Sequence, residues 1–137
     1  MFKVIKHVKN GRGIGHNVSK KTDTVLVTIN KAGAKKEQVS IRIGVDVMRE
    51  RRWLIGDRVS TTLGEYDGRP ALRIQRTHKD EGHTLSASKQ TPGTITTGCY
   101  KFTDHVVQKF LRRYAGTCVK PIVIDDGALI VLLQEAE

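Results

Sequence analysis

Arg49, Arg51 and Arg52 fall within one short run, Asp46-Val-Met-Arg-Glu-Arg-Arg-Trp53, and Arg58 follows shortly after. A guanidinium presents a planar fork of donors that binds phosphate oxygens or guanine edges bidentately, so an arginine cluster of this kind suits nucleic acid. Lys35 and Lys36 precede it in Asn30-Lys-Ala-Gly-Ala-Lys-Lys36, and Lys109, Arg112 and Arg113 form a second cluster later in the chain. The first 21 residues carry Lys3, Lys6, Lys9, Arg12, Lys20 and Lys21 and no acid. Clustered cations of this density neutralise phosphates and release counterions, which makes binding salt-dependent.

Catalytic readings are weaker. Cys118 with His105, or Cys99 with His83, pairs a thiol with a base, but neither cysteine sits in a nucleophile motif. Asp125-Asp126 stand before Gly127 and read first as turn residues. His78 and His83 are five apart in a polar stretch without further ligands, so no metal site is expected. Asn10-Gly-Arg-Gly-Ile-Gly15 lacks the spacing and the following helix of a nucleotide-binding loop, and reads as a loose basic segment. The expectation is no enzyme and no cofactor.

The totals agree with a polyanion partner. Lys and Arg number 24 against 14 Asp and Glu, a formal net charge of +10, and 137 residues suffice for one domain with a modest core. After Lys120 no basic residue occurs, so the positive charge is polarised toward the N-terminal arm, the first hairpin and the helices. Two isolated cysteines outside any C-x-x-C pair suit core thiols in a reducing compartment, with a disulfide as the alternative. No secretory signal and no membrane-length apolar run is present, which leads to the expectation of a cytoplasmic protein without a membrane partner.

The elements that must hold these cations occur twice. Thr24–Ile29 and Gln38–Ile43 read as a β-hairpin, because β-branched residues alternate along both. A short helix over Asp46–Trp53 follows, with Asp46 suited to its N-terminal end and Trp53 and Leu54 turned inward. Then come Gly56, a strand through Val59, Thr61 and Leu63, the Asp67-Gly68 turn, and a strand through Leu72 and Ile74. The second round has a weak strand over His83–Lys89 and another over Thr94–Thr97. Its helix spans Asp104–Tyr114, with Thr103 as N-cap and an apolar stripe of Val106, Val107, Phe110, Leu111 and Tyr114. Gly116, strand Val119–Ile124, Asp126-Gly127 and strand Ala128–Leu133 complete it. Gly56 and Gly116 lie 60 positions apart and Gly68 and Gly127 lie 59 apart, the mark of an internal duplication.

Val39-Ser-Ile-Arg-Ile-Gly-Val-Asp-Val-Met-Arg-Glu50, Ile55-Gly-Asp-Arg-Val59, Asp67-Gly-Arg69 and Leu72-Arg-Ile74 resemble the AbrB/MazE/SpoVT family of swapped-hairpin DNA-binding domains. Residues 22–77 resemble one unit, residues 78–137 a linker and a looser second unit, and 1–21 a basic arm outside the likeness. The family usually has Ile-Pro before the helix, where this chain has Ile43-Gly44 and Phe102-Thr103, and Thr117 stands where the Asp of Gly-Asp is expected. The resemblance implies a mainly β fold, with two repeats forming one β-barrel with short helices and pseudo-two-fold symmetry, as a monomer or a homodimer. It also implies a DNA-binding transcriptional regulator whose contacts come from the helix region: Arg49 with Arg51, Arg52 and Arg58, and in the second unit Gln108, Lys109, Arg112 and Arg113. Few aromatics are available for base stacking, so duplex DNA is favoured over single strands. The alternatives are an antitoxin-like or phage or plasmid accessory protein that binds another protein, and an RNA binder.

Overall fold

The structure, a computed structural model, describes residues 22–32, 36–78, 82–87, 91–124 and 126–135. In chain order these form β1 (Val25–Ala32), β2 (Lys36–Ile43), α1 (Val45–Arg51), β3 (Arg58–Tyr66), β4 (Arg69–Thr77), β5 (His83–Thr84), β6 (Gly98–Phe102), α2 (His105–Leu111), β7 (Thr117–Val119), β8 (Ile122–Val123) and β9 (Leu129–Leu132). The chain is mainly β, in two antiparallel sheets ordered β6-β2-β1-β7 and β5-β3-β4-β9-β8; neither closes into a barrel.

Alternation decides which side chains face inward. Val25, Val27, Val39, Ile41 and Ile43 from one sheet meet Val59, Leu72, Ile74, Leu129 and Val131 from the other in a single buried cluster. Met48, Trp53, Leu111 and Tyr114 from the two helical regions join it. The first hairpin pairs Val25 with Ile43 through Ala32 with Lys36. In the second, Tyr66 pairs with Arg69, and Asp67 and Gly68 take φ of 52° and 77° as a two-residue hairpin turn requires.

The ladders between the first and second halves of the chain are reciprocal. β2 pairs with β6, with Ile41 opposite Tyr100, and β4 pairs with β9, with Leu72 opposite Val131. β1 pairs with β7, and β3 pairs with β5. The Gly56 amide donates to the Leu85 carbonyl at 2.9 Å, and the Gly116 amide donates to the Val27 carbonyl at 2.7 Å, so each half fastens the other at a matching position. Ser86 and Cys99 exchange two backbone hydrogen bonds of 2.8 Å, which link the segment just after β5 to β6 across the two sheets.

Several local expectations are corrected. α1 ends at Arg51, before Trp53, and Arg52 takes the left-handed conformation that closes it. α2 begins at His105 and is capped by Asp104 rather than Thr103; the Asp104 carboxylate accepts from the Val106 and Val107 amides at 3.0 and 3.1 Å. Thr94–Thr97 is not a strand: the strand comes later, at Gly98–Phe102, and of the described residues 83–87 only His83–Thr84 form a strand, 88 and 89 lying outside the described residues. Pro121 has no amide proton and splits the Val119–Ile124 strand into β7 and β8. The α2 stripe is only partly inward. Leu111 and Tyr114 are buried, while Val106 is 76% and Phe110 39% exposed.

Candidate nucleic-acid interface

β2 leads into α1 and β6 leads into α2. Because β2 and β6 are antiparallel, the two helices leave from opposite ends of that central pair. The arginines of α1 and the cations of α2 therefore form two clusters at two ends rather than one patch. On the outer face between them lie Arg42 and Lys101, both exposed. Arg42 stands opposite Cys99 and Ser40 opposite Lys101, so all four share that face. Arg42 and Lys101 are also equivalent, one residue past the central Ile41–Tyr100 pair on each strand. Among the described residues neither forms an ion pair. Sequence reading passed over both, although each alternates with inward apolar residues and so had to face outward.

The expected contact residues have different surroundings. Arg49 is exposed and paired with Asp46 at 3.0 Å; Asp46 also accepts from the Thr22 hydroxyl at 2.7 Å. Arg51 is half-buried, and its Nε has no hydrogen-bond partner among the described residues. Arg52 is exposed, and its carbonyl accepts from Arg76 at 3.2 Å. Arg58 is half-buried at the start of β3. On the α2 side Lys109 is exposed, Arg112 pairs with Glu37 at 2.7 Å, and Arg113 pairs with Glu135 at 2.5 Å while its guanidinium stacks over Tyr114. Gln108, the expected equivalent of a contact residue, is buried, and its carbonyl oxygen accepts from the Asp104 amide at 3.1 Å. Its role is to hold the helix start. Lys3, Lys6, Lys9, Arg12, Lys20, Lys21 and Lys35 lie outside the described residues, and of Lys36 only the backbone pairing with Ala32 is described.

Exposed ion pairs contribute little to stability, since the Coulomb gain is small in high dielectric and holding two long side chains costs entropy. Arg49 and Arg112 can therefore exchange a carboxylate for a phosphate oxygen without loss of fold.

Two clefts flank the helices at matching positions. One, of about 320 Å³, lies between α1 and the β7–β8 connection, lined by Asp23, Asp46, Val47, Arg49, Arg51 and Lys120 among others. The other, of about 160 Å³, lies between α2 and β3, lined by Thr61, Leu63, Leu72, His83, Phe102, Thr103, Asp104 and Val107. Asp23 and His83, Val47 and Val107, Pro121 and Thr61, and Val123 and Leu63 are each 60 residues apart. The first cleft is charged. The second has an apolar wall of Leu63, Leu72, Phe102 and Val107, and Asp104 is the one carboxylate in its lining. His83 lies 5.4 Å from Phe102 and 5.9 Å from Tyr100. The Tyr100 hydroxyl lies 2.6 Å from the Thr61 hydroxyl, and burial pushes its pKa above the usual phenol value despite that bond.

Two of the residues weighed for catalysis, Asp126 and Cys118, have local hydrogen-bond partners. Asp126 accepts from the Ala128 amide at 3.0 Å and from Arg73, as a turn residue does; Asp125 lies outside the described residues. The Cys118 thiol donates to the Thr24 hydroxyl at 3.5 Å. Cys99 and Cys118 lie on the same row with Arg42 and Leu26 between them. Three strand spacings of about 4.8 Å separate them, well beyond the roughly 7 Å that a disulfide spans between Cα atoms. Among the described residues no three His, Cys, Asp or Glu side chains gather as a metal site, and no helix is long and apolar enough to cross a membrane.

Comparison with known proteins finds no matching family model, no matching curated protein and no matching solved structure.

Proposed function

We propose that this chain binds duplex DNA and acts as a transcriptional regulator, through two AbrB-like swapped-hairpin units that make one pseudo-two-fold barrel. The reciprocal ladders, β2 with β6, β4 with β9, β1 with β7 and β3 with β5, support the swapped arrangement. The Ser86–Cys99 bridge at one seam, and the run of β7 into β8 past Pro121 at the other, support reading the two sheets as one interrupted barrel.

The observation that carries the DNA reading is the pair Arg42 and Lys101, exposed at equivalent positions between two cationic helical ends. A duplex has its own local two-fold symmetry, so a protein with paired cationic elements about an axis can place both on its backbone at once. The basic, acid-free 1–21 segment adds sequence-independent attraction.

Fluorescence anisotropy with duplex DNA, single-stranded DNA and RNA, repeated over a range of salt, tests this. Duplex binding with a steep salt slope is expected. Arg42→Ala with Lys101→Ala should weaken it tenfold or more and flatten the slope by about 2, roughly 1 for each cation removed from the phosphates. Arg49→Ala, Arg51→Ala and Arg52→Ala together should weaken it further while the melting temperature changes little. Duplex affinity unchanged by both sets of changes, or tighter binding to RNA or single strands, would overturn the reading.

A further inference from the structure

α2 carries large apolar side chains where α1 carries acids. Val106 stands 60 positions after Asp46, and Phe110 stands 60 after Glu50. Both apolar residues are exposed, 76% and 39%, and they lie one helical turn apart. One face of Phe110 stacks on Tyr114 at 5.3 Å. Val107, between them in sequence, lines the apolar wall of the cleft with Leu63 and Phe102, so the strip on α2 runs into the cleft. Single exposed apolar residues are ordinary, but a strip that continues into the apolar wall of a cleft marks an interaction surface.

The charge beside the strip chooses the occupant. Lys109, Arg112 and Arg113 are all exposed on or just after the helix. Asp104 lines the cleft, with its carboxylate turned to the Val106 and Val107 amides that it caps. Two carboxylates already sit on this rim, Glu37 on Arg112 and Glu135 on Arg113. A second copy would bring another +10 chain against the same cations, and like charges brought together oppose association. A cleft of about 160 Å³ matches one large apolar side chain, since a cavity of about 150 Å³ holds benzene.

We propose that the α2 face, with the Leu63–Phe102–Val107 cleft, docks an acidic amphipathic segment of a protein partner, one large apolar side chain entering the cleft and carboxylates meeting Lys109 and its neighbours. This goes beyond DNA binding and stands independently of it.

The test uses the full chain and a fluorescein-labelled helical peptide with leucine and phenylalanine on one face and glutamate elsewhere. A scrambled peptide of the same composition serves as control. The natural chain should bind the amphipathic peptide at least tenfold more tightly than the scrambled one. Val106→Ser with Phe110→Gln preserves charge and changes only exposed positions; it should weaken peptide binding tenfold or more and leave duplex DNA affinity as it was. Equal binding of the two peptides, no binding of either, or indifference to the double substitution overturns the proposal. Sedimentation velocity supplies a further readout: self-association of the natural chain that the double substitution abolishes would make a second copy the occupant and overturn it as well. A natural chain that stays monomeric while it binds the peptide supports it.

Discussion

The starts of α1 and α2 occupy matching positions and are built by different means. Gly44 precedes α1 without a side-chain cap, while Asp104, 60 residues later, caps α2 with its carboxylate. Gly44 is required by crowding: a Cβ there would lie 2.3 Å from the Thr22 carbonyl oxygen. That close approach lets the chain before β1 cap the helix instead, since the Asp46 amide donates to the Thr22 carbonyl at 2.8 Å and the Gly44 amide to Thr24 at 2.9 Å. A second matched pair, Asp57 and Thr117, shows the same exchange. The Asp57 carboxylate accepts from the Leu54 amide at 2.9 Å, and the Thr117 hydroxyl donates to the Tyr114 carbonyl at 2.7 Å. The turn is tied at the same place by bonds of opposite polarity, so the absence of Asp at 117 leaves the local structure intact. Backbone position is the shared feature of the two halves, and the side chains around it are free to differ, mostly charged beside α1 and with more apolar residues beside α2.

Exchanging the two helix starts is the severest way to break this comparison. Gly44→Asp should destabilise the protein by about 3 kcal/mol or more in urea unfolding, because no rotamer relieves a Cβ clash with backbone. Asp104→Ala should cost about 1 kcal/mol, the usual worth of a cap. Equal costs at the two sites would mean that Gly44 is not crowded in solution. Tyr100→Phe comes next: it leaves the half-buried Thr61 hydroxyl without this partner, at about 1 kcal/mol. Tyr100 also gives a signature in alkali. Its folded pKa is raised, so above about pH 10 the unfolded chain ionises first and stability should fall with rising pH; Tyr100→Phe should flatten that fall in melts followed against pH.

Arg52→Gly should move stability the other way. Arg52 has φ 58°, a conformation that glycine adopts without steric penalty, so the variant should gain up to about 1 kcal/mol while duplex DNA affinity drops. A gain in melting temperature with no loss of DNA affinity would remove Arg52 from the interface. The smallest effect belongs to Asp126. The Ala128 amide first, and Arg73 after it, hold its pKa below the usual carboxylate value. Its stabilisation is therefore present above the unfolded carboxyl pKa of about 3.9 and is lost as pH falls through the folded value. An NMR titration should place the Asp126 carboxyl midpoint below that unfolded value, and Arg73→Ala should move it upward.

Much of the strand and turn plan was legible, because its causes are local. Val39, Ile41 and Ile43 alternate into the core, and Asp67-Gly68 and Asp126-Gly127 turn where glycine tolerates positive φ. The candidate site was less legible. The α2 stripe reads as one apolar face, yet only tertiary neighbours decide that Leu111 and Tyr114 are covered and Val106 and Phe110 are not. Arg42 and Lys101 gain meaning only from standing beside each other across β2 and β6, nearly sixty residues apart in the chain.

By itself the sequence determined a mainly β chain with two short helices, recurring turns about sixty residues apart, and a positive charge concentrated away from its end. The tertiary structure alone decided that β1 joins β7 and β3 joins β5, that one cleft is charged and its counterpart has an apolar wall, and which cations share a face. The reason is range. Alternation and turn chemistry act between near neighbours, whereas pairing between distant strands is chosen by burying the whole core at once.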